Sequence, residues 1–239
     1  PPLGSNNARQ QALLERILFD DTPLTMRVVK KQYGTSPVNS LLKSGWLTKK
    51  AVLVERDPLA GREFTLSDPL ILTPTQQSAA IEVRVALDNI TAIPRVTTKQ
   101  EGTNGHGRFL LEGVTGSGKT EVYLDAVQHC LDLGRRAIVI VPEISLAPQT
   151  IERFVSRFPG QVAVLHSGLS PGERFDQWWK IHNGEYGIVI GARSAVFAPQ
   201  PDLGLIVIDE EHEWTYKQHD ANPRYHAREV AFQRARLVD

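Results

Sequence analysis

The residues best suited to chemistry lie in a glycine-rich stretch, Gly113 to Thr120, which follows the G-x-x-x-x-G-K-[ST] pattern. Glycine at Gly113, Gly116 and Gly118 permits positive φ and a close approach of the backbone, so successive N–H groups can surround an anion. Lys119 can then reach the β- and γ-phosphates of a nucleotide, and the Thr120 hydroxyl can bind Mg²⁺. The alternative is a turn that only joins a strand to a helix. Because an apolar run precedes the glycines and a helical pattern follows them, we favour a phosphate loop, residues 113–120.

Two carboxylates, Asp209 and Glu210, directly follow a second apolar run at 205–208. Asp209 can hold Mg²⁺ through its water shell, and Glu210 can orient or deprotonate an attacking water. The alternative makes Asp209 a helix cap at the end of a strand. Since an acidic pair supplies what a phosphate loop lacks for hydrolysis, we favour the site, with Lys119 and Glu210 as its catalytic residues.

The elements that must position these groups alternate between strand and helix patterns after residue 69. Several predicted strands are apolar without alternation, as expected when helices cover both faces of a parallel sheet. The fold class is therefore α/β, a doubly wound parallel sheet, whose ligands lie at the carboxyl ends of the strands. Strands are expected near 108–112, 137–141, 161–165, 187–190 and 204–208, and helices near 76–90, 118–133, 146–157, 171–182 and 225–237.

The first 68 residues predict a separate winged-helix domain, with the second domain covering 69–239. Helical spacing begins at Ala8, Thr25 can cap a second helix, and Ser36 before a proline can cap a third. A strand at 46–56, a turn and a return strand at 62–66 would form the wing. Such a domain either contacts DNA or serves protein contacts or spacing, and the sequence leaves both open. Candidate phosphate contacts are Lys43, Lys49, Lys50, Arg56 and Arg62.

Composition narrows the class of protein. The 239 residues are 41% hydrophobic and 23% charged, which is ordinary for a globular chain. Residues 1–57 carry nine Lys/Arg against five Asp/Glu, whereas the remainder carries eighteen against twenty-two, an asymmetry that favours a nucleic-acid-facing front end. A single cysteine, Cys130, excludes an internal disulfide and a multi-cysteine metal site. No apolar run approaches the roughly 20 residues of a membrane span, so we expect a soluble, intracellular protein.

The aromatic segment, residues 213–225, interleaves aromatic and basic side chains, a composition that suits base stacking and backbone contact. A core role for Trp214 or Tyr225 remains an alternative, since most aromatic side chains are buried. Trp178 and Trp179, in a predicted helix, are expected to serve packing rather than recognition. The candidate DNA contacts of this segment are Trp214, Tyr216, Lys217, Arg224 and Tyr225.

Asp209 to His212 form a D-E-x-H box of the DEAH type, and together with the phosphate loop they resemble the superfamily 2 helicases and translocases. Further stretches in the same order resemble the PriA family of primosomal replication-restart helicases. The resemblance covers residues 70–239 most strongly, and that family also carries a winged helix before this lobe. The stretches are 110–123, 141–150, 166–170, 190–199 and 224–229.

The resemblance implies a RecA-like helicase lobe within an ATP- and Mg²⁺-dependent 3′ to 5′ DNA helicase that acts at stalled or branched replication forks. Implied partners are single-stranded and branched DNA, single-stranded-DNA-binding protein and primosome proteins, with no membrane contact. A monomer in the bacterial cytoplasm is expected. Other superfamily 2 translocases, and a winged-helix regulator that uses the loop as a nucleotide switch, remain alternatives.

The resemblance also assigns roles to residues. Gln76 matches a glutamine that reads the adenine edge, although it could be only a solvated first-turn residue; Glu211 and His212 would couple the nucleotide site to DNA. Arg193 and Ser194 match a segment lining the single-strand track, although Arg193 could instead be a structural arginine in an ion pair. The full nucleotide-binding set is Gln76, Gly113, Val114, Thr115, Gly116, Ser117, Gly118, Lys119, Thr120 and Glu121.

The family also has elements that do not occur in these residues. They are a fork-end-binding domain, a second motor lobe with an arginine finger, and cysteines that bind structural zinc. We therefore expect no zinc here, and we expect nucleotide binding and weak DNA binding without unwinding, because an arginine finger contributes about 10³ to 10⁵ in rate.

Overall fold

The computed structural model describes residues 8–19, 24–50, 56–59, 61, 64–92, 107–143 and 148–237. The chain divides into two compact units, residues 1–54 and 55–239. The division falls before the predicted boundary at residue 68 because Leu59, Phe64 and Ser67 contact the rest of the second unit. Ser67 N–H donates to the Ser156 carbonyl at 3.1 Å, and Leu59 and Phe64 pack against a core cluster of that unit.

The first unit contains three helices, α1 (Ala8–Phe19), α2 (Met26–Tyr33) and α3 (Thr35–Lys43). Thr25 caps α2 as expected, its hydroxyl oxygen accepting from Val28 N–H at 3.4 Å. The three helices bury one small apolar cluster, which explains their amphipathic spacing. Its members are Leu13, Val29, Tyr33, Val38 and Leu41.

Two details of the predicted winged helix differ. Helix α3 follows Gly34, whose φ is 91°, so Ser36 lies inside the helix rather than capping it. In the predicted wing, the described residues 46–50, 56–59, 61 and 64–66 form no strand. Residues 51–55, 60 and 62–63 of that wing lie outside the described residues. The three helices are therefore present, and the described part of the hairpin is irregular.

The second unit is a four-stranded, all-parallel sheet with helices on both faces, which confirms the doubly wound α/β class. The strands lie in the order β2-β3-β1-β4. They are β1 (Arg136–Ile140), β2 (Val162–Leu165), β3 (Ile188–Gly191) and β4 (Leu203–Ile208). The helices are α4 (Pro74–Ala92), α5 (Lys119–Asp132), α6 (Pro148–Arg157), α7 (Pro171–His182) and α8 (Ala227–Leu237), with short 3₁₀ turns at Arg193–Phe197 and Trp214–Tyr216.

The central strand β1 shows why its sequence does not alternate. Ala137 and Val139 face one core cluster, with residues of α5 and α6, whereas Ile138 and Ile140 face the other, with residues of α8. All four side chains are fully buried. Both faces of the sheet are therefore apolar, as parallel sheets require.

The predicted strand at 108–112 is wrong. Residues 107–112 are irregular and exposed, and among the described strands β4 pairs only with β1. The apolar run has the composition of a strand but no strand neighbour to bond with, since it crosses toward α8, where the Arg108 guanidinium lies 4.4 Å from the centre of the Phe232 ring. Part of β4 therefore lines a cavity instead of pairing with a fifth strand. No described helix is long and apolar enough to span a membrane.

Candidate functional site

The phosphate loop connects the irregular segment 107–112 to α5 and is open to solvent. Gly116 and Gly118 each have a φ of 80°, so these two glycines adopt the left-handed backbone that the sequence predicts. Gly113 does not, and its requirement is steric: a Cβ there would lie 2.7 Å from the Ser117 Oγ atom. The loop therefore closes tightly at its first glycine and turns sharply at the other two.

Lys119 is the first residue of α5, and its side chain curls back over the loop. Its Nζ donates to the Gly113 carbonyl at 2.6 Å and to the Val114 carbonyl at 3.1 Å. The ammonium group thus lies against the concave backbone where the glycines turn. An anion in this loop would meet both a cation and a helix N-terminus.

Gln76, at the start of α4, lies beside the loop. Its Nε2 donates to the Ser117 carbonyl at 2.9 Å, and its Oε1 accepts from Thr73 N–H at 2.8 Å. A Cβ on Gly118 would come within 2.4 Å of that Nε2 atom. Because both polar atoms of the amide already bond to the protein, the predicted reading of adenine requires these bonds to be exchanged.

Thr120 and Asp209 approach each other through one tyrosine. The Tyr123 hydroxyl donates to Asp209 Oδ2 at 3.0 Å and lies 3.3 Å from Thr120 Oγ1. Burial, and then the nearby charge of Asp209, raise the pKa of Tyr123. Tyr123 belongs to neither the phosphate-loop pattern nor the acidic box, although its position three residues after Thr120 on a helix places both on one face.

The oxygen groups at this point fit a hard divalent cation such as Mg²⁺. Among the described residues no group of three or more His, Cys, Asp or Glu side chains could hold a metal by itself. A metal bound by Thr120 and Asp209 would therefore need further oxygen ligands, which nucleotide phosphates supply. The phosphate loop, Thr120 and residues 205–211 line the same cavity, of about 1470 Å³, which exceeds the volume of typical small-molecule sites.

The backbone bends sharply at the acidic pair, Asp209 and Glu210, directly after β4. Asp209 N–H donates to the Ile140 carbonyl of β1 at 2.9 Å, and Asp209 Oδ1 accepts from Glu210 N–H at 3.0 Å. Glu210 has a φ of 47°, which is uncommon for a residue with a side chain. Its carboxylate is exposed toward the cavity that the phosphate loop lines.

Glu211 and His212 differ in their surroundings. Glu211 forms an ion pair with Arg228 of α8, and Arg228 also pairs with Glu229 at 3.3 Å. His212 is exposed. The box is thus tied to α8 through Glu211, and Arg228 is a contributor that the motif alone did not identify.

Arg193 holds the aromatic segment in place. Its Nη1 donates to the carbonyls of Thr215 and Lys217, at 2.9 and 2.8 Å, and its guanidinium lies 6.0 Å from the centre of the Tyr225 ring. The structural alternative for Arg193 therefore describes its contacts better than the phosphate role, although the partners are carbonyls rather than a carboxylate. Ser194 beside it is exposed.

The residues of the aromatic segment separate into two groups. Trp214 is 73% exposed and Arg224 is also exposed, so both are available to a ligand. Tyr216 is 1% exposed, and its hydroxyl donates to the carbonyls of Ile140 and Asp209. Tyr216 is therefore corrected from a DNA contact to a core residue, because its ring has no face left for a base.

The remaining two candidates are partly buried. Tyr225 packs edge-to-face on Phe197, with ring centres 4.8 Å apart. Lys217 pairs with His226 in an isolated antiparallel bridge, and its side chain is partly exposed. Both residues therefore have a structural contact in addition to any surface they offer.

Two further stretches that carry the family resemblance, 141–150 and 166–170, contact each other at the carboxyl edge of the sheet. Glu143 follows β1 and accepts a hydrogen bond from the hydroxyl of Ser167, which follows β2. Residues 144–147 of this region lie outside the described residues. Trp178 and Trp179 are 42% and 45% exposed on α7, and their rings contact each other edge-to-face with centres 5.6 Å apart, so a packing role stays a prediction.

The second unit matches a known protein family over most of its length. Residues 70–238 match the family described as "Type III restriction enzyme, res subunit". The chain is 44% identical over 237 residues to Replication restart protein PriA of Bacillus subtilis, which covers 98% of this chain and 28% of that protein. It is 38% identical over 234 residues to PriA of Chlamydia muridarum, covering 96% and 29%.

A third relative, PriA of Synechocystis, is 49% identical over 156 residues, covering 62% of this chain and 19% of that protein. The chain spans less than a third of the length of these relatives. The predicted resemblance to the PriA family is confirmed by these matches. The family match also implies that a nucleotide is bound here together with a metal ion.

Proposed function

We propose that this chain, which belongs to the family described as "Type III restriction enzyme, res subunit", is the nucleotide-binding part of an ATP-dependent 3′ to 5′ DNA helicase. The helicase acts at stalled or branched forks during replication restart, the process for which the matched relatives are named. One observation carries the proposal: Lys119, Thr120 and Asp209 line one cavity, and Tyr123 contacts both Thr120 and Asp209 just after the carboxyl end of β4. Binding of a nucleoside triphosphate together with its metal ion requires that combination of cation, hydroxyl and carboxylate.

The residues take the roles that their positions favour. The backbone N–H groups of 113–119 and the Lys119 ammonium would bind the phosphates, and Thr120 and Asp209 would hold Mg²⁺, which would supply positive charge to offset that of the phosphates. Gln76 contacts the base, and Glu210 orients or deprotonates the attacking water. Glu121 lies in the first turn of α5, whose N-terminus would face the phosphates.

The DNA-facing roles fall to exposed side chains at the same edge. We assign base stacking to Trp214 and phosphate contact to Arg224, with Ser194 and Lys217 beside the track. Arg193 and Tyr225 support the segment that presents them, and Glu211 with His212 transmits its position to the nucleotide site. The proposed partners are single-stranded and branched DNA, single-stranded-DNA-binding protein and primosome proteins. The protein is proposed to act as a monomer in the bacterial cytoplasm.

Calorimetry with a non-hydrolysable ATP analogue and Mg²⁺ tests the site. We expect the 239-residue chain to bind the analogue. Lys119→Ala should weaken binding by about 100-fold, because the proposed charge-assisted contacts of its ammonium group with the β- and γ-phosphates are lost. Lys43→Ala, an exposed lysine of α3, is the matched control and should bind as the parent does. Absence of uptake by the parent chain, or equal affinity for Lys119→Ala, would contradict the proposal.

A second candidate is another superfamily 2 translocase, because the matching family is described from a restriction enzyme. Forked-DNA substrates distinguish the two. A protein containing both this chain and the remainder of the PriA length should separate strands at forks, with ATP hydrolysis stimulated by single-stranded DNA. Stimulation by duplex DNA without strand separation would favour the second candidate.

A further inference from the structure

We propose that Tyr123 is a positioning residue for the metal that accompanies the nucleotide: its hydroxyl fixes the orientation of both Thr120 and Asp209. This inference rests on the proposed function, because it concerns the same site. It adds a residue that neither the phosphate-loop pattern nor the acidic box contains.

The contacts of the hydroxyl carry the argument. It lies 3.0 Å from Asp209 Oδ2 and 3.3 Å from Thr120 Oγ1, so one oxygen atom connects the two candidate metal ligands. The other carboxylate oxygen, Asp209 Oδ1, accepts from Glu210 N–H at 3.0 Å. Each oxygen of Asp209 thus has one donor, and rotation of the carboxylate would break both bonds.

The single proton of a phenol determines the direction of these bonds. A carboxylate only accepts, so the Tyr123 proton is donated to Asp209, and the Thr120 hydroxyl donates to the Tyr123 oxygen. This order commits the Thr120 proton to the Tyr123 oxygen and leaves the lone pairs of the Thr120 oxygen free. A hydroxyl binds a divalent cation through those lone pairs, so Tyr123 prepares Thr120 as well as Asp209.

The ring of Tyr123 has a separate task, which makes the hydroxyl testable by itself. Tyr123 is 8% exposed, and its ring stacks on Phe154 of α6 with centres 6.2 Å apart and an interplanar angle of 14°. A phenylalanine would keep this packing and remove only the hydroxyl. A packing role and a positioning role therefore predict different results for Tyr123→Phe.

The experiment measures how Mg²⁺ supports nucleotide binding. A fluorescent ATP analogue is bound to the parent chain and to Tyr123→Phe, first in EDTA and then across a Mg²⁺ titration. We expect the Mg²⁺ midpoint of Tyr123→Phe to rise on the order of 10-fold, the usual effect of removing a residue that orients a metal ligand. Binding in EDTA should change less than about twofold, because the phosphate loop and Lys119 are untouched. Tyr33→Phe, a buried tyrosine of the first unit, should match the parent in both conditions.

A double variant checks that Tyr123 acts through Asp209. If it does, Tyr123→Phe should add little to the rise in the Mg²⁺ midpoint that Asp209→Asn causes alone. An unchanged midpoint for Tyr123→Phe, additive effects in the double variant, or equal losses in EDTA and in Mg²⁺ would each overturn the inference. These outcomes leave the proposed function standing, which fails only if the parent chain takes up no nucleotide.

Discussion

Helix α5, which follows the phosphate loop, and the aromatic segment both contact Asp209, but they contact different parts of it. From the loop side, Tyr123 on α5 bonds to the Asp209 carboxylate. From the segment side, the Tyr216 hydroxyl bonds to the Asp209 carbonyl. One region therefore controls the side chain that would face a ligand, and the other controls the backbone that carries it.

The two regions also differ in how many of their predicted functional residues stay available. Residues 113–117 of the loop are exposed, and Lys119 bonds to the carbonyls of Gly113 and Val114. In the aromatic segment, Tyr216 is enclosed and Arg193 fixes two carbonyls, while Trp214 and Arg224 remain exposed. A glycine pattern specifies a ligand-facing backbone, whereas aromatic composition alone does not separate support from contact.

The largest expected effect on stability comes from removing Tyr216, which supports the backbone at Asp209. Tyr216→Ala should lower the free energy of unfolding by about 3–5 kcal/mol, because it removes a fully buried ring and two hydrogen bonds. Urea denaturation measures the loss, with Tyr216→Phe as the control that keeps the ring and should lose much less. A loss for Tyr216→Ala within that of an ordinary surface substitution would contradict the core assignment.

Arg193→Gln should have the next largest effect on stability. Loss of the bonds to the Thr215 and Lys217 carbonyls is expected to cost about 2 kcal/mol. Arg174→Gln, which loses one long bond to a single carbonyl, is the comparison. If Arg193→Gln instead unfolds like the parent but binds single-stranded DNA with a shallower salt dependence, the phosphate role would be the correct one.

Trp214→Ala should affect DNA and leave folding unchanged. Removing an exposed stacking ring is expected to weaken single-stranded DNA binding by roughly 10-fold. Trp178→Ala, an exposed tryptophan outside the segment, serves as the matched control. Fluorescence anisotropy with a labelled oligonucleotide measures both variants, and equal losses would remove the distinction between Trp214 and other exposed aromatics.

The smallest effect appears at alkaline pH. Burial raises the pKa of Tyr123 and of Tyr216 in the folded chain. Below about pH 10 both folded and unfolded chains keep these protons, whereas above it the unfolded chain loses them first, so stability falls as pH rises. Between pH 8 and 11 each tyrosine should contribute a loss of about 1 kcal/mol. Tyr216→Phe should show a smaller decline in its urea midpoint than the parent, and an identical decline would contradict the assignment.

Local patterns were enough for much of the architecture. The Thr25 cap, the amphipathic spacing of α1 to α3 and the uniformly apolar β1 each reflect interactions within a few residues or a general property of parallel sheets. The phosphate loop belongs to this group, because positive φ at Gly116 and Gly118 is a property of the backbone there.

The errors involve partners that are distant in sequence. Residues 108–112 have a strand composition, but a strand also needs a neighbour, and none of the described strands pairs with them. Tyr123 contacts a carboxylate 86 residues later, and Arg193 contacts carbonyls 22 and 24 residues away. Trp214 and Tyr216 are two positions apart with similar chemistry, so only the folded chain decides which one is enclosed.

The bend at Glu210 has a consequence for engineering this lobe. A left-handed backbone costs a residue with a side chain on the order of 1–2 kcal/mol, a cost that glycine avoids. Glu210→Gly would therefore yield a sturdier protein that lacks the carboxylate proposed to direct water. At this position thermal stability and the proposed role of the carboxylate oppose each other, so a search for heat-resistant variants would select against that role.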